Sequence, residues 1–204
     1  MSNHLAVATV SAALSQQLAR QLPEGLPQTV IKTQKPPTEP PTEPTITVFC
    51  YQATVNGSLR NRDAPTRTGN GTLVTRPQVG LDLHYLLSFY GDETQLVPQR
   101  LLGAAVRALH EEPVLSGADI AAAVSLLPFL ADTDLAAARD RVRFTPTHLD
   151  IDDLYKLWSM MSGTPFALSL CYLASVVAID GAGVPVPGRT VEQRVVRADP
   201  FEAV

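Results

Sequence analysis

The sequence predicts one α+β domain with long loops and a C-terminal arm, and three observations carry that expectation. Apolar residues alternate with period two over 46–55, 81–90 and 166–179. They recur at spacings of three and four over 4–21, 98–111 and 150–161. Clusters of Pro, Gly and polar residues separate these stretches.

The first helix is expected over 4–21, where Val7, Val10, Leu14 and Leu18 form a stripe and Pro23 and Gly25 end it. KPPTEPPTEPT follows at 35–45. Proline fixes φ and removes a donor, so this repeat favours polyproline II and reaches roughly 30 Å when extended. It reads as a semi-rigid surface loop, with a recognition peptide as the alternative. Residues 46–55 alternate as a strand, with Ile46, Val48 and Cys50 on one face and Thr47, Phe49 and Tyr51 on the other. Asn56-Gly57 is a hairpin-type turn signal. The glycine-rich, basic stretch 56–71 carries Arg60, Arg62 and Arg67, which are candidates for an interface as well as for a solvated loop. Thr72 to Arg76 is expected as a short strand.

LDLHYLLSFYGDE, residues 81–93, reads as a strand that stops at Gly91-Asp92. Pro98 suits the first turn of a helix whose buried stripe is Leu101, Leu102, Ala105, Val106 and Leu109, ended by Pro113. Ser116 to Asp119 resembles a capping box opening a helix over 117–127, before Pro128. A polar turn over 132–140 leads to a short strand at Val142 to Thr145. Asp150 caps the next helix, with Asp152 and Asp153 in its first turn and Ile151, Leu154, Tyr155 and Trp158 as its apolar face. The strand over 166–179 is apolar on both faces, which predicts a central place in the sheet. The unit expected over 1–180 is followed by an extended arm, 181–204, carrying Arg189, Arg194 and Arg197.

A chain of 204 residues, 45% apolar, has material for a real core. A net charge of −4 gives no case for a nucleic-acid binder, which usually shows a basic face. Cys50 and Cys171 sit in apolar, strand-like contexts and are expected as buried free thiols, which suits a reducing compartment. The first twenty residues lack the basic start of a signal peptide, and no apolar run approaches a membrane span. The expectation is a soluble protein made in the cytoplasm.

The sequence carries no visible chemistry. His4, His84, His110 and His148 have no ligand partners at helical or turn spacing, and His110-Glu111-Glu112 is not the HExxH pattern. Neither cysteine has a basic neighbour to lower its pKa. Asp92-Glu93 and Asp152-Asp153 have the types needed for acid–base work. Adjacent carboxylates at a strand end and a helix start are more simply turn and cap residues. No catalytic, cofactor-binding or metal-ligating residue is therefore expected, and Asp92 and Glu93 join the candidates for an interface.

Four stretches in order carry a resemblance: SNHLAVATVSAAL, LHYLLSFYGDE, PQRLLGAAVRALHEEPVL, and LYKLWSMMSGTPFALSLCYLASVVAID. Together they resemble the cap, or tube-terminator, proteins of contractile injection systems, which are headless phage-tail-like particles. The resemblance spans about residues 2–180 with gaps. It implies a tail-terminator-like fold, a mixed, mostly antiparallel sheet packed by helices. It also implies a hexameric ring, an inner tube protein and a sheath protein as partners, and a particle that is assembled in the cytoplasm and released outside the cell. Two alternatives remain at this point: another structural adaptor of the same particle, in tube or baseplate, and a small-molecule enzyme using Asp92 or Asp153.

Overall fold

A computed structural model describes residues 3–59, 66–69, 71–74, 76–138 and 140–186. Five strands, β1 (Val30–Lys32), β2 (Thr45–Val55), β3 (Gln78–Tyr90), β4 (Arg143–Thr147) and β5 (Ser169–Asp180), form one sheet. Their order is β1-β2-β3-β5-β4. β1 pairs parallel to β2, and every other pairing is antiparallel. Four α-helices pack on the sheet: α1 (Ala6–Gln21), α2 (Val97–Glu111), α3 (Gly117–Leu126) and α4 (Ile151–Met160).

The alternation of β3 explains its central place. Leu83, Tyr85, Leu87 and Phe89 are buried on one face among α1, α2 and α3. Leu86 is buried on the other, against Leu157, Trp158 and Met161. The first face thus holds the main core and the second a smaller one under α4. β5 is an interior strand, as its two apolar faces require, but β3 rather than β5 is the middle of the sheet.

α1 is buried more widely than a stripe, because alanines let it lie close to the sheet. Its hydroxyls are doubly used. Ser11 Oγ donates to the Val7 carbonyl and meets Tyr85 Oη at 2.8 Å. Ser15 Oγ meets Thr33 Oγ1 at 2.7 Å, and Thr9 Oγ1 meets Thr133 Oγ1 at 2.8 Å. At the C-terminal turn Arg20 donates to Glu112 at 2.7 Å and to the buried Asp119 at 3.0 Å. That fork ties α1 to the end of α2 and the start of α3. Ser116 Oγ accepts the Asp119 N–H, so the expected cap of α3 is present.

Several expectations need correction. β1 was not foreseen; the Pro-Thr-Glu segment is the connection that carries the chain from β1 back to pair parallel in β2. β2 and β3 are joined through residues 56–77, with no strand of the sheet between them among the described residues. Asn56 Oδ1 accepts the N–H groups of Ser58 and Leu59, starting a longer connection. Thr72 to Arg76 is not a strand among the described residues, where Leu73 makes only an isolated bridge with Arg67. Leu102 and Val106 are half-buried, and Ala104 and Ala108 take their place in the buried stripe of α2.

β5 starts at Ser169 rather than at 166, and its faces do not run unbroken. Leu81 pairs with Val177 while Leu83 pairs with Ala174, so β5 carries one extra residue. Val176 there has φ 67°, left-handed backbone for a β-branched side chain. The bulge inverts the alternation, and Val177 joins Tyr172 and Ala174 in the main core.

Both edges of the sheet are limited. β1 has three residues. Outside β4, Phe144 N–H donates to the Pro113 carbonyl at 2.7 Å and Val114 bridges Arg143. Pro146 has no donor to offer on that strand.

Candidate functional site

The turn after β3 holds Asp92 and Glu93. Gly91 turns at φ 148°, and Asp92 Oδ1 accepts both the N–H and the hydroxyl of Thr94, at 2.8 and 2.6 Å. Those bonds, from the hydroxyl first, hold the Asp92 carboxyl below its usual range. The Glu93 carbonyl accepts the Leu96 N–H, and Leu96, at φ 53°, leads into α2. Both acids are exposed.

Asp153 belongs to another element with its own duties. Its N–H donates to the Asp150 cap at 2.8 Å, and its carboxylate pairs with Lys156 at 3.0 Å. Asp92 and Asp153 are therefore turn and helix-start residues, each engaged locally. Burial pushes both cysteine thiols up, away from the thiolate form. Both are free; Cys171 is buried and Cys50 half-buried. His84 Nε2 lies 3.1 Å from Thr54 Oγ1, and its ring is 5.9 Å from that of Tyr51. Among the described residues, no three His, Cys, Asp or Glu side chains are grouped to hold a metal. No helix among them is long and apolar enough to cross a membrane.

Of the arginines singled out in the sequence, Arg67 is exposed and donates to the Gly71 carbonyl at 2.8 Å. Arg60, Arg62, Arg189, Arg194 and Arg197 lie outside the described residues.

The feature that sequence reasoning missed is the exposure around α4. Of its expected apolar face Trp158 is buried and Leu154 half-buried, but Ile151 is 82% exposed and Tyr155 74%, and beside them Met160 is 78% and Phe166 66% exposed. Only Leu157 and Trp158 are buried, under the helix. Trp158 packs its ring 5.3 Å from that of Phe166. Between α4 and the segment 161–166 that follows it runs a groove of about 650 Å³, lined by Ile151, Leu154, Tyr155, Trp158, Met161 and Phe166 among others. The indole N–H of Trp158 finds no acceptor among the described residues. A surface of this kind fits association with another apolar surface rather than chemistry.

The comparisons agree with the architecture. The model of a family described as the Pvc16 N-terminal domain matches residues 9–193. No curated protein matches the chain by sequence. Among solved structures, the chain resembles the sheath/tube terminator of PVC, an extracellular contractile injection system, in its extended state. The TM-score is 0.59 at 15% identity, over 96% of this chain and 65% of that one. It also resembles the cap of the anti-feeding prophage, a tube-terminating cap, with a TM-score of 0.61 at 18% identity, over 93% of this chain and 60% of the other. The chain therefore spans less than two thirds of the length of either solved chain.

Proposed function

The chain belongs to the Pvc16 N-terminal domain family, and from that premise we propose that it is the cap that ends the inner tube of a contractile injection particle and couples it to the distal end of the sheath. The family match over residues 9–193 carries this reading. The shared fold with a sheath/tube terminator and a tube-terminating cap supports it.

The physical task is to stop a stack. A tube built of rings goes on adding rings while its end face stays exposed. A terminator has one face complementary to the tube and another that is not. Six copies in a closed ring make the stop firm even where each contact is weak, because later contacts become intramolecular. In this reading 1–180 is the terminator-like unit, and the basic loop 56–71 and the arm 181–204 meet partners on docking. The partners are copies of this chain, the inner tube protein and the sheath protein. Assembly takes place in the cytoplasm, and the particle acts outside the cell.

The role needs no catalysis. The carboxylates of the enzyme alternative, Asp92 and Asp153, are occupied as turn and helix-start groups, and burial holds the thiols protonated. Deletion of the gene in a producing strain, with electron microscopy of the particles, tests the reading. The expected result is tubes of irregular length or sheaths that fail to stay extended. Particles of uniform length with a normal distal end would overturn it; loss of the tube or of the baseplate would point to another adaptor.

A further inference from the structure

We propose that the groove beside α4 takes the basic, valine-bearing segment 189–198 of a second copy of this chain. This deepens the ring reading above by naming one contact between subunits. It is tested on the purified chain, so its failure and the failure of the cap role are separate results.

The groove is apolar and uncovered. Ile151, Tyr155 and Phe166 stand exposed along it, and the buried Trp158 forms part of its lining. Incoming valines offer apolar bulk to cover it. The start of α4 is acidic. Asp150, Asp152 and Asp153 open α4, with Lys156 as the nearby cation, already paired with Asp153.

The segment RTVEQRVVRA, residues 189–198, is the complement of that surface. It sets Val191, Val195 and Val196 among Arg189, Arg194 and Arg197, with Glu192 as its one acid. Valines suit the apolar floor, and arginines suit the aspartates at the start of α4 in charge and in donor geometry.

Chain length favours the segment of another copy. The Gly181 N–H donates to the Pro77 carbonyl, and the Val186 N–H to the Leu73 carbonyl, so the chain leaves the sheet at the Asp180 end of β5. The groove lies at the other end, beside Phe166 and the start of β5. The 12 residues of β5 separate these ends by roughly 36 Å. Val191 is five residues beyond Val186 and reaches at most about 18 Å. A copy therefore cannot lay Val191 in its own groove, and its Val195 and Val196, nine and ten residues beyond Val186, come within range only on a fully extended chain of about 32–36 Å, while a neighbour's segment meets no such limit. Segment into groove, copy after copy, is a head-to-tail contact of the kind that closes rings.

The test uses the full chain and two variants. Ile151→Asp places a charge on the exposed groove wall, outside the buried core, and V195D with V196D places charges on the segment. Sedimentation velocity over a wide range of concentration is expected to show self-association of the unaltered chain. Each variant should weaken it by at least about tenfold, with melting temperatures unchanged. Mixing the two variants should restore a dimer, because one supplies an intact segment and the other an intact groove. Emission of Trp158, the one tryptophan of the chain, should change on mixing and not in either variant alone. Variants that associate like the unaltered chain would overturn the proposal, as would a mixture that stays monomeric. An unaltered chain that is monomeric throughout would also overturn it and assign the groove to a different molecule.

Discussion

The Asp82 carboxylate accepts the backbone N–H of Val176 at 3.3 Å, and the same oxygen accepts Asn56 Nδ2 at 2.8 Å. One side chain of β3 thus anchors the bulge of β5 and the start of the connection from β2.

Asp82→Ala removes both bonds and is expected to cost about 1–3 kcal/mol. Asp82→Asn keeps an acceptor and should cost less. Val176→Gly relieves left-handed backbone and should change stability by no more than about 1 kcal/mol, because the relief offsets lost packing and added chain entropy. Val177→Ala, one residue on and fully buried, should cost more, about 1–2 kcal/mol. Urea denaturation of the four variants checks the order. Equal losses at Val176 and Val177 would contradict the strain at the bulge.

Two glycines separate conformational need from chance. A Cβ on Gly91 would lie 2.5 Å from Val97 Cγ1, on backbone at φ 148°. Gly91→Ala should cost at least about 2 kcal/mol. Gly103 is exposed in α2 and a Cβ there meets nothing within 4 Å. Gly103→Ala should stabilise by about 0.5–1 kcal/mol. Thermal melts of both read the contrast; a harmless Gly91→Ala would show that the turn into α2 has room to shift.

The hold on α4 is one-sided. Trp158, 6% exposed, is expected to cost about 3 kcal/mol or more when changed to Ala. Tyr155→Ala on the bare face should stay within about 0.5 kcal/mol in the isolated chain. Loss of the near-ultraviolet signal of Trp158 at temperatures below global melting would show α4 opening on its own.

Acid acts on the fork at Arg20. Its guanidinium, chiefly by hydrogen bonding, holds the Glu112 carboxyl below its ordinary 4.5. A carboxylate with a depressed folded pKa contributes above its unfolded pKa and stops contributing as pH falls through the folded value. Glu112→Gln should therefore lower stability at neutral pH and have little effect near about pH 2. Denaturation at the two pH values measures the difference. An effect of equal size at both would mean that the carboxylate charge is not what Arg20 recognises.

The long strands and helices were legible because each repeats its pattern over ten or more residues. β1 was not, since Val30-Ile31-Lys32 has no period and owes its form to β2 alongside. The bulge at Val176 leaves no trace in an apolar run, where either parity reads as core. Asn56-Gly57 marks a turn, but the path of the chain beyond it depends on Asn56 bonding to Ser58 and Leu59. The turn role of Asp92-Glu93 was readable from residue type. The groove was not: a 3.6-residue period locates the apolar face of α4 and says nothing of what lies opposite. Five of the eight residues offered for contacts, Arg60, Arg62, Arg189, Arg194 and Arg197, lie outside the described residues.

The limited edges of the sheet bear on how such a chain waits to be used. Exposed strand edges recruit further strands without regard to identity, which is how soluble proteins become fibres. Here a three-residue strand closes one side and the Pro113–Leu115 stretch screens the other. Copies can therefore accumulate in a cell without seeding one another through their backbones. Recognition is left to side chains, which discriminate, and the proposed binding to one end of one object would call for keeping such indiscriminate surfaces shut.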